Sequence, residues 1–293
     1  MRQHRGGWYG RHLPFAVVGH VEWVDFLPVA RLPRPGEIIE SPEAWAEVAG
    51  GGAVAAVQLA KLAGGATFFT ALGSDDNGRR AAEQLRDHGV ELLAAPRELP
   101  QRRAVTFLDS DGERTISLIN ERLVPVAQDD LPWHRLADMD AVYFTGGDHA
   151  ALRAARAAKT LVATPRARRA LNGSGVTLDA LVRSGADAGE HDDPAKQGWS
   201  ARLICTTLGA RGGTYVTADG RSGSFQGAPL EGPIVDSYGA GDSFAAGLTF
   251  ALGSGMDVDD ALALASRCGA GNLTGRGPYA GQPTAADLGL TSP

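Results

Sequence analysis

The chain has 293 residues, 43% of them hydrophobic, so it is long enough to bury a large core, either as one α/β domain or as a domain with a small appendage. Its formal net charge of −6 leaves no excess of basic residues to neutralise phosphates, which argues against broad binding to nucleic acids or membrane surfaces. It has no apolar run of membrane-spanning or signal-peptide type, and its cysteines have no disulfide or metal-site spacing. We therefore expect a cytoplasmic protein with Cys205 and Cys268 buried.

The first part of the chain predicts alternating strands and helices with one interruption. Residues 15–19 form a short apolar run that is typical of a buried first strand. Residues 22–46 carry four prolines between short apolar pieces, which favours edge strands and turns in an accessory flap. A glycine-rich turn then leads into an alanine-rich helix over 53–63, followed by a strand over 67–72 and a helix over 78–88.

A hairpin interrupts the alternation a second time. Residues 103–109 and 114–119 have the pattern of two strands, and the Asp-Gly pair between them indicates a tight turn. We expect this hairpin to join the flap in a small sheet. The alternation resumes with a strand over 141–145, a helix over 149–158, a strand over 160–164, a helix over 176–183 and a strand over 203–208.

These elements predict a doubly wound three-layer α/β/α sandwich with a small β-sheet lid. The arginines between Arg153 and Arg169 are interpreted as a solvated helix face followed by a surface loop. The expected organisation is a flexible arm over 1–13, one α/β domain over 14–288 with lid strands from about 22–46 and 95–120, and a tail over 289–293.

The segment 236–247 combines a glycine-rich turn, a carboxylate and the start of an apolar helix. The backbone N–H groups of Gly239, Ala240 and Gly241 are free to point at a phosphate, aided by the helix dipole. Asp242, beside them, would take the proton from an attacking hydroxyl. Taken alone, such a turn is more often a simple helix start in which Asp serves as a cap.

Three further patterns have both a functional and a structural interpretation. Asp25, Gly51 and Gly52 would meet one polyhydroxylated substrate at the carboxyl ends of the strands, or they are a loop acid and a turn. Asp187 and Glu190 would hold Mg²⁺ directly or through water, or they are surface acids. The glycine turn over 206–213 is a shelf for a nucleotide or a tight turn, and no Walker-type phosphate loop is present.

In this order and spacing, the patterns resemble the PfkB, or ribokinase-like, family of carbohydrate and nucleoside kinases, over roughly residues 15 to 285. The segment 236–247 looks like the family's C-terminal signature, and Gly50–Ala55 with Leu72–Asp75 and Gly78 looks like the N-terminal one. Independent turns would rarely assemble one family's whole set, so the match favours the catalytic interpretation of Asp242 over the cap.

The resemblance implies an ATP-dependent kinase that acts on a hydroxymethyl group of a small sugar, with Asp242 as base and Gly239, Ala240 and Gly241 as the cradle for the γ-phosphoryl group. It further implies roles for three other sets of residues: Thr207, Gly209, Gly212 and Ser266 for adenosine, Asp25, Gly51 and Gly52 for substrate hydroxyls, and Asp187 and Glu190 for Mg²⁺ held through water. Asp236 and the carbonyl of Tyr238 match the positions of a monovalent cation such as K⁺.

Three positions depart from the family pattern. Ala56 stands where many relatives place a substrate-binding Asn, Asp187 replaces a more frequent Asn, and Tyr238 replaces a small residue. Two alternatives therefore stay open, namely a nucleoside kinase of the adenosine type and a non-catalytic sugar- or nucleotide-binding regulator. The lid strands have edges that could pair in a homodimer, and we expect no nucleic-acid or membrane partner.

Overall fold

The computed structural model describes residues 14–110, 112–190 and 192–290. The predicted N-terminal arm and the last three residues of the predicted tail lie outside these ranges. In chain order the strands are β1 (Phe15–Val18), β2 (Glu22–Pro28), β3 (Trp45–Ala49), β4 (Ala66–Gly73), β5 (Val90–Arg97), β6 (Arg103–Leu108), β7 (Arg114–Ile119), β8 (Ala141–Phe144), β9 (Thr160–Ala163), β10 (Thr177–Ser184), β11 (Ser200–Thr207), β12 (Gly213–Thr217) and β13 (Ser222–Phe225). The helices are α1 (Gly51–Ala63), α2 (Asp76–Asp87), α3 (His149–Ala155), α4 (Arg168–Leu171), α5 (Ala240–Gly253) and α6 (Val258–Asn272).

Nine strands of the described residues form the main sheet, in the order β13-β12-β11-β10-β9-β8-β1-β4-β5. The strands from β5 to β11 are parallel, and β12 and β13 add an antiparallel edge. Parallel strands need helical crossovers, which cover both faces of the sheet. The predicted doubly wound architecture is confirmed.

Alternate residues of the first strand point into two separate hydrophobic cores. Val17 packs in the core under α1, α2, α5 and α6, whereas Val18 packs in the core under α3 and α4. Small residues let the helices approach closely on the first face, since a β-carbon built at Gly247 would lie 2.8 Å from Sγ of Cys268. No helix of the described residues is long and apolar enough to span a membrane.

The predicted small sheet is present as four strands in the order β3-β2-β6-β7. Strand β2 pairs with β3 in antiparallel and with β6 in parallel fashion, and β6 and β7 form the predicted hairpin. This sheet, which we call the lid, leads directly into α1 through β3. The lid therefore connects to the main domain at the helix start that carries Gly51.

The prediction of a helix over 176–183 is wrong, because this segment forms strand β10 (Thr177–Ser184). Leu181 packs in one core and Val182 in the other, so the segment is apolar on both faces. A strand buried on both faces lacks the alternation that distinguishes it from a helix in the sequence. The crossover before β10 is made by α4, which has only four residues.

Candidate active site

The two glycine-rich helix starts meet at the carboxyl-end edge of the main sheet. A β-carbon built at Gly51 would lie 2.8 Å from Oδ1 of Asp242 and 3.5 Å from Oγ1 of Thr145. Thr145 directly follows β8, and its N–H donates to the carbonyl of Val18 at 2.9 Å. A side chain at residue 51 would therefore displace the Asp242 carboxylate, and its absence opens the first turn of α1 toward that carboxylate.

The first turn of α5 presents free N–H donors beside this carboxylate. Gly239 caps the helix with a φ of 84°, in the left-handed region that favours glycine. The first intrahelical bond runs from the N–H of Ser243 to the carbonyl of Gly239 at 2.8 Å, so the N–H groups of Ala240 and Gly241 precede the helical ladder. A β-carbon at Gly241 would meet nothing within 4 Å. This open turn has the donors and the dipole that bind an anion.

The environment of Asp242 suits a proton acceptor. Burial raises the pKa of its carboxyl to about 6, with Arg166 and Arg114 acting to lower the pKa and Glu190 and Glu22 to raise it. A carboxylate with this pKa is ionised at neutral pH but holds a proton more readily than an ordinary aspartate. The site thus combines anion donors with a base.

Two arginines that the sequence analysis did not assign to the site approach this carboxylate. Arg114 comes from lid strand β7, and its guanidinium donates to the carbonyl of Ser237 at 2.7 Å. Arg166 lies just beyond β9 and is exposed, as expected for a residue of the solvated arginine cluster, but it also lines the cleft at Asp242. Its guanidinium pairs with Glu190 at 2.7 Å and with Asp187, although nearly half of the side chain stays exposed in the cleft. The position of Arg166 after a parallel strand was the available signal.

Asp187 and Glu190 converge on this same Arg166. Oδ1 of Asp187 accepts the N–H of Gly189 at 2.8 Å, and Oε2 of Glu190 accepts the N–H of Ser184 at 2.8 Å. The two carboxylates carry one more charge than the single guanidinium neutralises. Hard oxygen ligands with surplus negative charge fit Mg²⁺, which keeps most of its waters in such sites.

A cleft of about 350 Å³ begins at Asp242 and the Gly239–Gly241 turn and continues past the residues predicted to bind the nucleotide. Thr207, Gly209, Gly212 and Ser266 all line it. The rings of Phe225 and Phe244 stack in its wall with centroids 5.7 Å apart, and Leu230, Ile234 and Leu273 add apolar surface. Ser266 itself is committed to its helix, since its hydroxyl donates to the carbonyl of Leu262 at 2.8 Å. The cleft has an apolar half that suits a planar base and a polar half that suits phosphates.

The structure does not bring Asp25 to this group. Its carboxylate pairs with Arg103 at 2.7 Å, on the face of β2 opposite to Glu22. Glu22 instead faces the helix start, where a β-carbon at Gly50 would lie 3.1 Å from its Cγ. Alternation along a strand sets this outcome, because residues 22 and 25 point to opposite faces. Glu22 is thus a buried acid beside the start of α1 that the sequence analysis did not identify.

Gly52 and Ala56 serve packing in this structure. A β-carbon at Gly52 would lie 2.6 Å from the carbonyl oxygen of His20, so α1 packs closely on the segment after β1. Ala56 is fully buried in α1. No hydrogen-bonding side chain therefore replaces the Asn that family members often carry at position 56.

Asp236 is fully buried below the anion turn. Its carboxylate accepts the N–H groups of Tyr238 at 2.7 Å and Gly277 at 3.0 Å, and burial raises its pKa. The ring of Tyr238 packs edge-on against Phe26 of the lid, with centroids 5.1 Å apart. The described residues contain no cluster of three or more metal-ligating side chains, so the fit to a monovalent cation rests on one carboxylate and backbone carbonyls.

Comparison with known proteins places this site in a family context. The family model described as pfkB family carbohydrate kinase matches residues 15–182 and 180–285. The chain is 29% identical to Fructokinase-1 of Oryza sativa subsp. japonica, over 90% of this chain and 93% of that one. It is 31% identical to an ATP-dependent ribose-1-phosphate kinase of Halopiger xanaduensis, over 86% and 89% of the two chains.

Solved structures show the same fold. Arabidopsis thaliana ribokinase, solved with ribose and ATP, superposes with a TM-score of 0.76 at 21% identity, over 95% of this chain and 98% of that one. The adenosine kinase of Sinorhizobium meliloti superposes with a TM-score of 0.72 at 19% identity, over 91% and 95%. At these identities the likeness establishes the fold.

The raised pKa of Asp242 predicts a pH-dependent cost in stability. The folded pKa of about 6 lies above the ordinary value of 3.8, so folding favours the protonated form and the ionised form destabilises the protein as pH rises toward and beyond 6. Asp242→Asn should raise the free energy of unfolding by about 1–3 kcal/mol at pH 8, and this gain should vanish near pH 4.

Denaturant unfolding at the two pH values measures the difference. Asp138→Asn, at an exposed position, is the matched control and should change stability little at either pH. An equal gain for Asp242→Asn at pH 4 and pH 8 would contradict the prediction.

Proposed function

The chain belongs to the pfkB family of carbohydrate kinases, and on that premise we propose that it transfers the γ-phosphoryl group of ATP to a hydroxymethyl group of a small sugar through Asp242. The observation that carries this proposal is the contact between Gly51 and Asp242, which joins the acceptor side of the cleft to the anion turn of α5. A base, a nest of N–H donors and a cleft for a nucleotide lie within one connected site.

The chemistry follows from this arrangement. The acceptor hydroxyl oxygen attacks the γ-phosphorus, its proton passes to the Asp242 carboxylate, and the bond between the γ-phosphorus and the bridging oxygen of ADP breaks. The N–H groups of Gly239, Ala240 and Gly241 face the charge that develops on the transferring group. Arg114 and Arg166 add positive charge from the lid and from the end of β9.

The acceptor side favours a sugar over a nucleoside or a purely regulatory ligand. Arg102 and Arg122 line a cleft next to the Asp242 site, where Arg102 also pairs with the buried Glu22, and hydroxyl groups pair with such side chains better than a nucleobase does. A sensor without catalysis would not need an aspartate whose pKa is raised to about 6. Both cysteines are buried free thiols, which supports the expected cytoplasmic location.

Removing the base should abolish turnover and preserve binding. We expect Asp242→Asn to lower kcat by about two to four orders of magnitude, because the hydroxyl proton loses its acceptor. The dissociation constants of ATP and sugar should change by no more than a few-fold. A coupled assay of ADP release over a panel of sugars and nucleosides, with calorimetry for binding, measures both, and Asp138→Asn is the control. Near-normal turnover in Asp242→Asn would refute the assigned role.

Asp187 and Glu190 would hold Mg²⁺ through its waters, and the bound ion would neutralise charge on the ATP phosphates. Asp236 and the carbonyl of Tyr238 stay the predicted positions for a monovalent cation. For Mg²⁺ the two carboxylates already lie on the cleft wall, with a partner, Arg166, that can move to a phosphate.

Neutralising Glu190 should therefore weaken the response to the metal. We expect Glu190→Gln to raise the Mg²⁺ concentration for half-maximal rate about tenfold or more, as for other changes at residues that position a metal. Titrations of rate against Mg²⁺ at saturating ATP test this, with the surface variant Glu83→Gln as control. An unchanged Mg²⁺ dependence in Glu190→Gln would rule out the role.

The lid offers a surface for a second copy of the chain. Strand β7 is the edge of the lid, and all six of its residues are exposed. Ile116, Leu118 and Ile119 expose 39%, 51% and 38% of their surface. An open strand edge with apolar side chains favours pairing with an identical edge, which closes a symmetric dimer.

Light scattering should give a mass of twice 30.5 kDa for the chain in solution. Leu118→Lys should shift the mass toward the monomer, because it places a charge in the pairing surface. Val216→Lys changes an apolar residue of equal exposure, 51%, on a strand of the main sheet and should leave the mass unchanged. A monomeric wild-type protein at micromolar concentration would contradict the dimer.

A further inference from the structure

A second cleft, of about 590 Å³, opens on the acceptor side of the site and is lined mainly by arginines. Of the residues that the structure describes, five arginines line it, Arg102, Arg122, Arg166, Arg168 and Arg169, against a single acid, Glu121. We call these residues the arginine cleft. Two of the arginines come from the lid, just before β6 and just after β7, and three come from the segment after β9. The lid and the main domain therefore both contribute positive charge.

Part of this charge lacks a protein counter-ion. Arg102 pairs with Glu22 at 2.9 Å, Arg166 with Glu190 at 2.7 Å and Arg168 with Asp192 at 3.5 Å. Arg122 and Arg169, in contrast, have no acidic partner within 4.0 Å among the residues that the structure describes. Burial and the neighbouring Arg102 lower the pKa of Arg122. Like charges held together in a partly buried cleft are costly unless an anion joins them.

The arginine cleft lies next to the Asp242 site. Gly146 lines it, and Oγ1 of the preceding residue, Thr145, lies 3.5 Å from a β-carbon built at Gly51, whose other neighbour is Asp242. Adjacent residues lie about 3.8 Å apart along the chain. Arg166 lines both this cleft and the nucleotide cleft. An acceptor that reaches Asp242 with one end therefore has its other end beside the arginines.

Two buried polar side chains lie between these ends. His20 is 3% exposed, and its Nε2 lies 3.6 Å from Oε1 of Glu22. Its Nδ1 is buried without a hydrogen-bond partner in the described part of the chain, and a β-carbon at Gly146 would lie 4.0 Å from this atom. A buried polar atom without a partner, next to a cleft, indicates a ligand group such as a hydroxyl.

We propose that the acceptor is a sugar monophosphate, whose phosphate binds in the arginine cleft while its free hydroxymethyl group lies at Asp242. This inference rests on the proposed kinase function and narrows its substrate class. The phosphate would be a dianion with three acceptor oxygens, which matches several guanidinium forks better than the single charge of a sugar acid. The hydroxymethyl oxygen forms the new bond to the γ-phosphorus, its proton goes to Asp242, ADP leaves, and the product is a sugar bisphosphate.

The required shape selects among sugar phosphates. The phosphate and the free hydroxymethyl group must lie at opposite ends of the sugar, because the arginines and Asp242 flank it. Pentose 1-phosphates and ketohexose 6-phosphates have this arrangement. D-ribose 1-phosphate and D-fructose 6-phosphate are therefore the probes, D-ribose and D-fructose are the parent compounds, and D-gluconate represents a sugar acid.

The test compares kcat/KM for these five compounds in an ADP-release assay. We expect one of the two phosphates to exceed its parent sugar by at least about 100-fold. Arg122→Gln should lower the ratio of phosphate to parent kcat/KM by about 10- to 100-fold, mainly through KM, and Arg122→Lys should recover part of it. Arg153→Gln, on an exposed helix position outside the cleft, is the matched control and should leave the ratio unchanged. Circular dichroism melts check that each variant folds.

The outcomes separate this inference from the kinase function. Turnover of parent sugars as efficient as that of their phosphates, or a preference for gluconate, would overturn the inference and leave the kinase intact. If no compound is turned over, the kinase function fails. Calorimetry with D-ribose 1-phosphate and D-fructose 6-phosphate then tests whether the arginine cleft binds a sugar phosphate. Binding that weakens in Arg122→Gln but not in Arg153→Gln supports the arginine cleft, and absence of binding to the wild-type protein refutes it.

Discussion

The site depends on the close approach of two helix starts that are almost 200 residues apart in the sequence. Residue 51 must lack a side chain, because a β-carbon there would lie 2.8 Å from the Asp242 carboxylate. This contact needs β1 and β8 side by side, since the segments beyond them seat the first turn of α1. The parallel sheet is therefore a frame that brings the Asp242 carboxylate, the turn over 239–241 and the start of α1 to one edge. The family membership and the kinase chemistry agree with this frame.

The lid contributes to the site in two ways. Through Phe26 it packs on Tyr238 at the anion turn, and through Arg114 it donates to the carbonyl of Ser237. Through Arg102 and Arg122 it adds positive charge on the acceptor side. An arginine in a cleft acts more strongly when water is excluded, because the local dielectric constant falls. Any change in the position of the lid therefore also changes the electrostatic potential in the clefts, because the lid carries these arginines.

The sequence predicts the parts of this protein that are determined locally. The glycine-rich starts of α1 and α5 and the lid hairpin are short patterns, and they form where the sequence predicts them. Strand β10 was wrongly predicted as a helix because burial on both faces removes its periodicity. Glu22, and not Asp25, faces the start of α1, because the phase of a strand depends on its neighbours. Arg122 is recognisable as a cleft residue only after the lid is assembled, because it belongs to no sequence motif, whereas the position of Arg166 after a parallel strand was a signal in the sequence.

Among residues 14–110, 112–190 and 192–290, Arg166 is the one arginine that lines both clefts. Its guanidinium is held by Asp187 and Glu190, so any cation that competes for those carboxylates releases it toward whichever anion is nearest. Two anionic ligands that both interact with the Arg166 guanidinium cannot bind independently of each other. The free energy by which the first alters the affinity of the second equals the free energy of the reverse effect. A single side chain thereby couples the affinities of the two clefts, whichever of them fills first.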